Sequence, residues 1–410
     1  MLIALAAGAH ADVKIVAATA TDRNGIKISP TVGEPFFLTV ALQVDKTTTP
    51  YRVTVQAPSG KLDTGLVSFG LNAPGSYWVR QGAIMPLFDG PMNITVACSA
   101  AKKPLTLRIV PVSPKSTFDY YARRSLKGAI GTQVELNQAS DTLLAWVPLP
   151  ESDESQSVSV DAPARQALTR ESSQPIGLFE SFGEAEIEAS ASFIAEAQSV
   201  RTNLASLRSV PMSAVKASVW LKPEARAQSD HKEIVAFAHT VTKGFTAKTP
   251  VADVALAVYS AVLKRSVYAR TGALPDALAT LRSGKGECGD LGALFVATCR
   301  AAGVPARTVS GFCYGNDQWH VWAEFQVPGL GWVPVDPAYA EGAMPHADTP
   351  LYFGVIPDLR NRIAVCRGLT QSFGNDTTTF LQTPQVFASD SAPKVKTARF
   401  WSVLEDALKN

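Results

Sequence analysis

The chain has 410 residues, 46% hydrophobic and 18% charged, a composition with ample core for two to three globular domains at about 150 residues each. Lys plus Arg number 38 against 36 Asp plus Glu, a formal net charge of +2, so no global field draws the chain to nucleic acid or acidic lipid, and no basic run with interleaved aromatics restores either class. No apolar stretch beyond the N-terminus approaches the roughly 18 residues a membrane crossing needs, so no transmembrane segment is expected.

The chain opens MLIALAAGAHADVK. Leu2 to Gly8 is apolar, and Ala9-His10-Ala11 has the small-x-small pattern that precedes a secretory cleavage site. The first lysine is Lys14, so a basic leading region is missing. Residues 1–11 therefore read as the remnant of an export signal, with an apolar first strand as the alternative. Export would place the protein in the periplasm or outside the cell. In that setting Cys98, Cys299, Cys313 and Cys366 could pair as disulfides in an order the sequence does not choose; buried free thiols are the other reading.

Over 12–112, VKIVAATA, FFLTVALQV, YRVTVQA, GSYWVR, MNITVACSA and LTLRIVPV alternate apolar and polar residues between Pro, Gly, Asn and Asp clusters. Short period-2 strands at regular spacing indicate an immunoglobulin-like β-sandwich. Over 113–223, TLLAWVPLP and QSVSVDA read as strands. The acidic run EAEIEASASFIAEAQSVRT has helix propensity, yet Ile187, Ala189, Ala191, Phe193 and Ala195 alternate with polar neighbours, which favours strand.

From 224 the pattern turns helical. HKEIVAFAHTVTKG sets Ile234, Phe237, Ala238 and Val241 at 3/4 spacing and stops at Gly244, and PVADVALAVYSAVLKRSVY continues the same period. PDALATLRSG is a third short helix, leading into GKGECGDLGALFVATCRAAGVPARTVSGF. There Leu291, Leu294, Phe295, Thr298 and Ala302 make one helical face that ends at Gly303, so Cys288 sits at a helix start. The unpaired N–H groups and the positive dipole end at that position stabilise a thiolate. Gly284, Gly286 and Gly289 leave room for a substrate backbone. Asp290 suits a first-turn cap, and Cys299 lies mid-helix toward the core.

A thiolate needs a proton partner, and that partner needs an orienting group. Of five histidines, His320 alone opens a strand, QWHVWAEFQV, which turns through Pro328-Gly-Leu-Gly331 into WVPVDP and ends at Asp336. A His and an Asp on neighbouring strands make a base and its orienter. Mirroring the turn about Gly329 sets Asp336 nearer Ala323 than His320, a gap of roughly 10 Å that a bulge at Pro334 would close.

Taken together, Gly286-x-Cys288 before a helix, Arg307-Thr-Val-Ser-Gly311-Phe312, His320-Val-Trp322 and Trp332-x-x-x-Asp336 resemble the bacterial transglutaminase-like core, a papain-like cysteine enzyme fold. The likeness extends over roughly residues 135 to 390, since TLLAWVPLP with Gln156 resembles the β-rich segment that precedes this core and LYFGVIPDLRNRIAV its closing strands. The resemblance implies an α+β fold class. A papain-like transglutaminase core over 224–390 would follow the sandwich and a β-rich associated domain over 113–223, with a C-terminal strand or tail over 391–410.

It further implies Cys288 as nucleophile, His320 as base and Asp336 as orienter, acting through a thioester on a peptide or protein amide of the glutamine type, with an amine or water as acceptor. Trp319 and Trp322 would shield the ion pair or line an acceptor tunnel, with strand packing as the alternative, and Gly286 and Gly289 would border the substrate. No cofactor and no metal are expected, because the calcium sites of animal transglutaminases have no recognisable counterpart. The rival readings are a cysteine peptidase or amidase of the same fold, a non-catalytic envelope binding or assembly protein that keeps the core as scaffold, and a zinc site on Cys288, His320 and Asp336.

Overall fold

The computed structural model describes residues 13–408 apart from 22–25, 32–35, 45–50, 58–59, 68–74, 85, 87–90, 99–100, 102, 113–115, 162–164, 169–173, 273–274, 316–317, 341–351, 357, 370, 374–375, 379–382 and 389–393. The expected export segment with His10, and the residue His346, lie outside the described residues. The chain divides into two compact units, one of residues 1–117 with 202–205 and 345–351, the other of 118–201, 206–344 and 352–410.

In the first unit, β1 (Val13–Thr21), β2 (Phe36–Val44), β3 (Tyr51–Ala57), β4 (Gly60–Val67), β5 (Gly75–Ile84), β6 (Met92–Cys98) and β7 (Leu105–Ile109) follow in chain order. Six are the runs expected from alternation; β4 is the addition, GKLDTGLV, whose Gly and Asp residues leave little alternation to read. The strands form two antiparallel sheets, β1-β2-β5 and β4-β3-β6-β7. Every second residue points inward, as the pleat requires, so Phe36, Leu38, Val40, Val53, Val55, Ile94 and Val96 join one apolar cluster shared by both sheets.

The second unit opens with β8 (Phe118–Ser140), β9 (Leu143–Pro148), β10 (Gln156–Asp161), β11 (Arg165–Leu168), β12 (Pro175–Ser181) and β13 (Glu184–Thr202). The acidic run is a strand: Ile187, Ala189, Ala191, Phe193, Ala195 and Ala197 are buried, so alternation overrides helix propensity. A single turn, α1 (Leu204–Leu207), precedes α2 (Lys232–Val241), α3 (Val251–Arg265), β14 (Val267–Tyr268), α4 (Ala277–Ser283), β15 (Lys285–Gly286) and α5 (Cys288–Ala301). Next come β16 (Ala306–Cys313), β17 (Gln318–Val327), β18 (Gly331–Val335), α6 (Pro337–Ala340), β19 (Val355–Ile356) and β20 (Arg362–Arg367). The described strands close with β21 (Gln371–Phe373), β22 (Asp376–Thr378), β23 (Gln385–Ala388) and β24 (Val395–Asp406).

Sheet order explains how these pieces cohere. The sheets β10-β13-β8-β24 and β11-β12-β9-β23 each take their last strand from the far end of the chain, and β18-β17-β16-β20 forms the sheet against which α5 packs. Trp146, Leu178 and Phe193 from the early strands share a cluster with Phe312, Ile363 and Val365 of that sheet, so the strand-rich segment and the helical segment are cemented by one core. Gln156, buried in β10, completes the join: its amide donates to the Ala364 carbonyl at 3.0 Å and accepts from the Ala364 N–H at 3.0 Å, standing in as a ladder partner for β20.

One expectation is corrected here. The helix after Cys288 was expected to be one-faced, yet Gly289 to Arg300 are buried all round, because α2, α3, α4 and α6 surround α5 on the sides the sheet leaves open. A fully enclosed helix holds its first residue rigidly, which matters for what sits there.

Candidate active site

The tip of α5 is fixed by its own acidic residues. The Glu287 N–H donates to Asp290 Oδ2 at 2.9 Å, Asp276 N–H donates to Asp290 Oδ1 at 3.1 Å, and Glu287 Oε1 accepts from the Thr271 and Gly272 N–H groups at 2.6 and 2.8 Å. Asp290 is thus the expected cap, and it clamps the preceding loop as well. Gly286 and Gly289 serve this packing. A side chain at Gly286 would meet Asp290 Cβ at 2.4 Å, and one at Gly289 would meet Pro275 Cγ at 2.5 Å, so the space expected for a substrate backbone is filled by the chain itself.

The clamp presents Cys288, partly exposed, at the first position of the helix. Burial alone would raise its thiol pKa, but the charge on His320 and hydrogen bonds to His320 and the Val321 backbone outweigh burial and bring it below the ordinary thiol value. For three of the other cysteines burial prevails over the neighbouring arginines: Cys313 and Cys366 are pushed up to about 12, and Cys299 goes well above its ordinary value.

His320 Nε2 lies 2.8 Å from Asp336 Oδ2, which leaves Nδ1 as the ring nitrogen for the thiol. Burial would lower the imidazole pKa, yet the charges of Asp336 and Cys288 with their hydrogen bonds raise it to about 9. The Asp336 carboxylate is wholly buried. It accepts from the Tyr339 N–H at 3.1 Å and from Arg362 Nη1 at 2.7 Å, and His320 and Arg362 overcome the desolvation that would otherwise raise it, holding it down at about 2. Cys288, His320 and Asp336 are therefore brought together in the order thiol, imidazole, carboxylate.

The His-Asp contact is reached without the expected bulge. Pairing of β17 with β18 runs unbroken from Val327↔Gly331 to Ala323↔Val335. Asp336 thus falls level with Trp322, one diagonal step from His320 on the same strand face, and a diagonal pair is within reach of two such side chains.

The two tryptophans separate. Trp322 is buried, stacks 6.4 Å from the His320 ring and has the Arg362 guanidinium 5.5 Å away, so it packs against the ion pair. Trp319 packs edge-on against Phe312 at 5.2 Å in the clusters of the strand-rich segment, away from the thiol. In its place the structure brings Tyr268 near the sulfur, in the strand position paired with Gly286; burial and the charges of Cys288 and Glu287 raise its phenol pKa. Arg362 was also missed. Its guanidinium has no exposure, reaches Asp358 through Nε and Nη2 at 3.1 to 3.2 Å, and lies 4.5 Å from the Tyr339 ring. Among the described residues, no group of three or more His, Cys, Asp or Glu side chains is placed to hold a metal ion.

Residues 235–337 match the family model of the transglutaminase-like superfamily, a span that runs from α2 to the residue after Asp336. This segment is a transglutaminase-like core. A solved structure of a "putative cysteine protease" from Cytophaga hutchinsonii is similar at 16% identity and a TM-score of 0.50, covering 71% of this chain and 93% of that one, a likeness of fold. A "putative protease" from Parabacteroides distasonis matches at 13% identity with a TM-score of 0.22, over 80% of this chain and 68% of that one. An uncharacterized protein of Haemophilus influenzae is 38% identical over 13% of this chain and 21% of its own length, so the chain spans about a fifth of that curated relative. The transglutaminase-like core with its papain-like fold thus stands beside strand-rich segments that the family model leaves outside.

Proposed function

We propose that the protein is a cysteine-dependent acyl enzyme acting on peptide or protein amides, with Cys288 as nucleophile, His320 as acid and base, and Asp336 as orienter. The observation that carries this reading is a lowered thiol at a helix start beside an imidazole that is itself bonded at 2.8 Å to a buried carboxylate. The Cys288 sulfur attacks the amide carbon, and the negative oxygen forms beside the Cys288 backbone N–H, which at the first helical position has no partner within the helix. The C–N bond breaks as the His320 imidazolium gives its proton to the leaving amine. Neutral His320 then takes a proton from water or from an acceptor amine as that group attacks the thioester, releasing an acid or a new amide and restoring the thiol pair. Trp322 and Tyr339 against the imidazole support the reading, because exclusion of water preserves a charge pair that bulk solvent would weaken.

The first unit is read as an immunoglobulin-like sandwich, supported by seven strands in two antiparallel sheets around one core. An exported location is proposed from Leu2–Gly8 and Ala9-His10-Ala11, and N-terminal sequencing of the protein recovered from cells would find the cut after Ala11 or sink that reading.

The test of the chemistry is brief iodoacetamide treatment at about pH 6 with peptide mapping. Cys288 is expected to label ahead of the other four cysteines, and His320→Ala to remove that preference. Equal labelling in the unmodified protein would reject the activated nucleophile. Glutamine-containing peptides offered with and without a primary amine then separate transfer from hydrolysis.

A further inference from the structure

Arg362 and His320 bond the same oxygen. Nη1 of the arginine lies 2.7 Å and Nε2 of the histidine 2.8 Å from Asp336 Oδ2, while Oδ1 takes the Tyr339 N–H. On its far side the guanidinium is held by both oxygens of Asp358, whose side chain is 30% exposed. From the sulfur outward the groups alternate in sign: thiolate, imidazolium, Asp336, Arg362, Asp358. We infer that Arg362 and Asp358 act as positioning residues that counterweight the His320–Asp336 pair and set the pH range over which protonated His320 stays beside the Cys288 thiolate. The inference rests on the reading of Cys288 and His320 proposed above.

Arg362 and His320 compete for one negative charge in a buried site. Asp336 favours the charged imidazole, and each share of its field neutralised by Arg362 is withdrawn from His320. Asp358 in turn neutralises part of Arg362. The titratable groups facing this chain from the surrounding elements are Cys288 on α5, Cys313 on β16, Tyr339 on α6, Tyr352 before β19, Tyr268 on β14 and Tyr121 on β8, the last two raised chiefly by burial. Burial raises Cys313, Tyr339 and Tyr352 so that they stay neutral, while Asp336 is held down and Arg362 up, which leaves Cys288 and His320 as the pair that exchanges charge. A packing role alone would be insensitive to the sign of the charge removed; a counterweight is not.

The experiment is the rate of Cys288 alkylation by iodoacetamide from pH 4 to 10, with circular dichroism as the check on folding. A thiolate freed from its imidazolium is the better nucleophile, so the unmodified protein should show two rising steps, the upper one marking loss of the His320 proton. Arg362→Met should move that upper step up by about one pH unit, and Arg362→Lys should return it near its original place. Asp358→Asn should move it down, by less, because solvent screens part of that charge. If Arg362→Met does not fold, the direction found for the partly exposed Asp358→Asn decides. Two steps whose upper midpoint stays put in every folded variant overturn the counterweight and leave the nucleophile standing. A single step at the ordinary thiol value in the unmodified protein overturns the nucleophile, and the counterweight with it.

Discussion

The sheet β18-β17-β16-β20 carries two buried ionic clusters, and they do different things. At one end His320 and Asp336 meet Cys288 and Arg362. Four residues along the same strands, a rise of about 13 Å, Arg307 bonds Glu324 at 2.8 Å with its guanidinium 3.8 Å from the Trp332 ring, and nearby Arg367 bonds Glu151 at 2.8 Å and Asp153. Both clusters remove charge from water and repay that cost by pairing. The second is built from arginines and carboxylates and contains neither thiol nor imidazole. The first contains a thiol lowered and an imidazole raised. Burial of charge is common to both, and only the mobile proton separates a site from a brace.

The strongest way to break that contrast is to remove the proton-carrying groups. Cys288→Ala should lower turnover by about 10⁴-fold or more with circular dichroism unchanged, since nothing else in the cluster can form the thioester. Asp336→Asn should cost less, about 10²-fold, because it disturbs the imidazole's orientation and charge rather than removing the nucleophile. Steady-state kinetics on any amide substrate found by the labelling route checks both; the reverse ranking contradicts the roles assigned.

The end that holds Cys288, His320 and Asp336 was legible because its signals are local. Cys288 before an apolar helix, His320 in an alternating strand and Asp336 at a strand end after a Gly-rich turn are each read within a dozen residues. Arg362 was not, because an arginine in LRNRIAV, two residues after Arg360, looks like a solvated surface residue; only the order β17-β16-β20 carries it to Asp336, 26 residues back. The pairing of β24 with β8 joins Trp401 to Gly131 and leaves no trace in either segment's periodicity. The glycines misled for the opposite reason. Freedom of approach is the same sequence signal whether a substrate or Pro275 fills the space, and here Pro275 and Asp290 do.

The second cluster gives a smaller effect of a different kind. Glu324→Gln leaves the Arg307 guanidinium, which burial already presses toward a lower pKa, without its charge partner. The expected result is a loss of about 3 kcal/mol in urea unfolding, with the Cys288 labelling rate per folded molecule unchanged. A slowed rate would mean that the two clusters are coupled along β17 and that the contrast drawn between them is false.

The smallest effect lies in the pH dependence of stability, where the two mobile protons oppose each other. His320 is raised from its ordinary 6.5 to about 9, so the stability it lends is complete below about 6.5 and is lost as the pH rises through about 9. Cys288 is lowered, so between its folded value and its ordinary value near 9 it lends stability that grows with pH. A folded thiolate with an imidazolium binds as many protons as an unfolded thiol with a neutral imidazole, so the two slopes oppose each other in the unmodified protein. Cys288→Ala removes the rising contribution and leaves a smaller falling one, because Asp336 still favours protonated His320 while the share of the raise owed to Cys288 is gone. Between pH 6.5 and 9 that variant should lose on the order of 1 kcal/mol more than the unmodified protein in urea unfolding, and adding Asp336→Asn should flatten its slope. Parallel curves would show that the folded state holds no such pair, since a thiol that never ionises has no slope to remove.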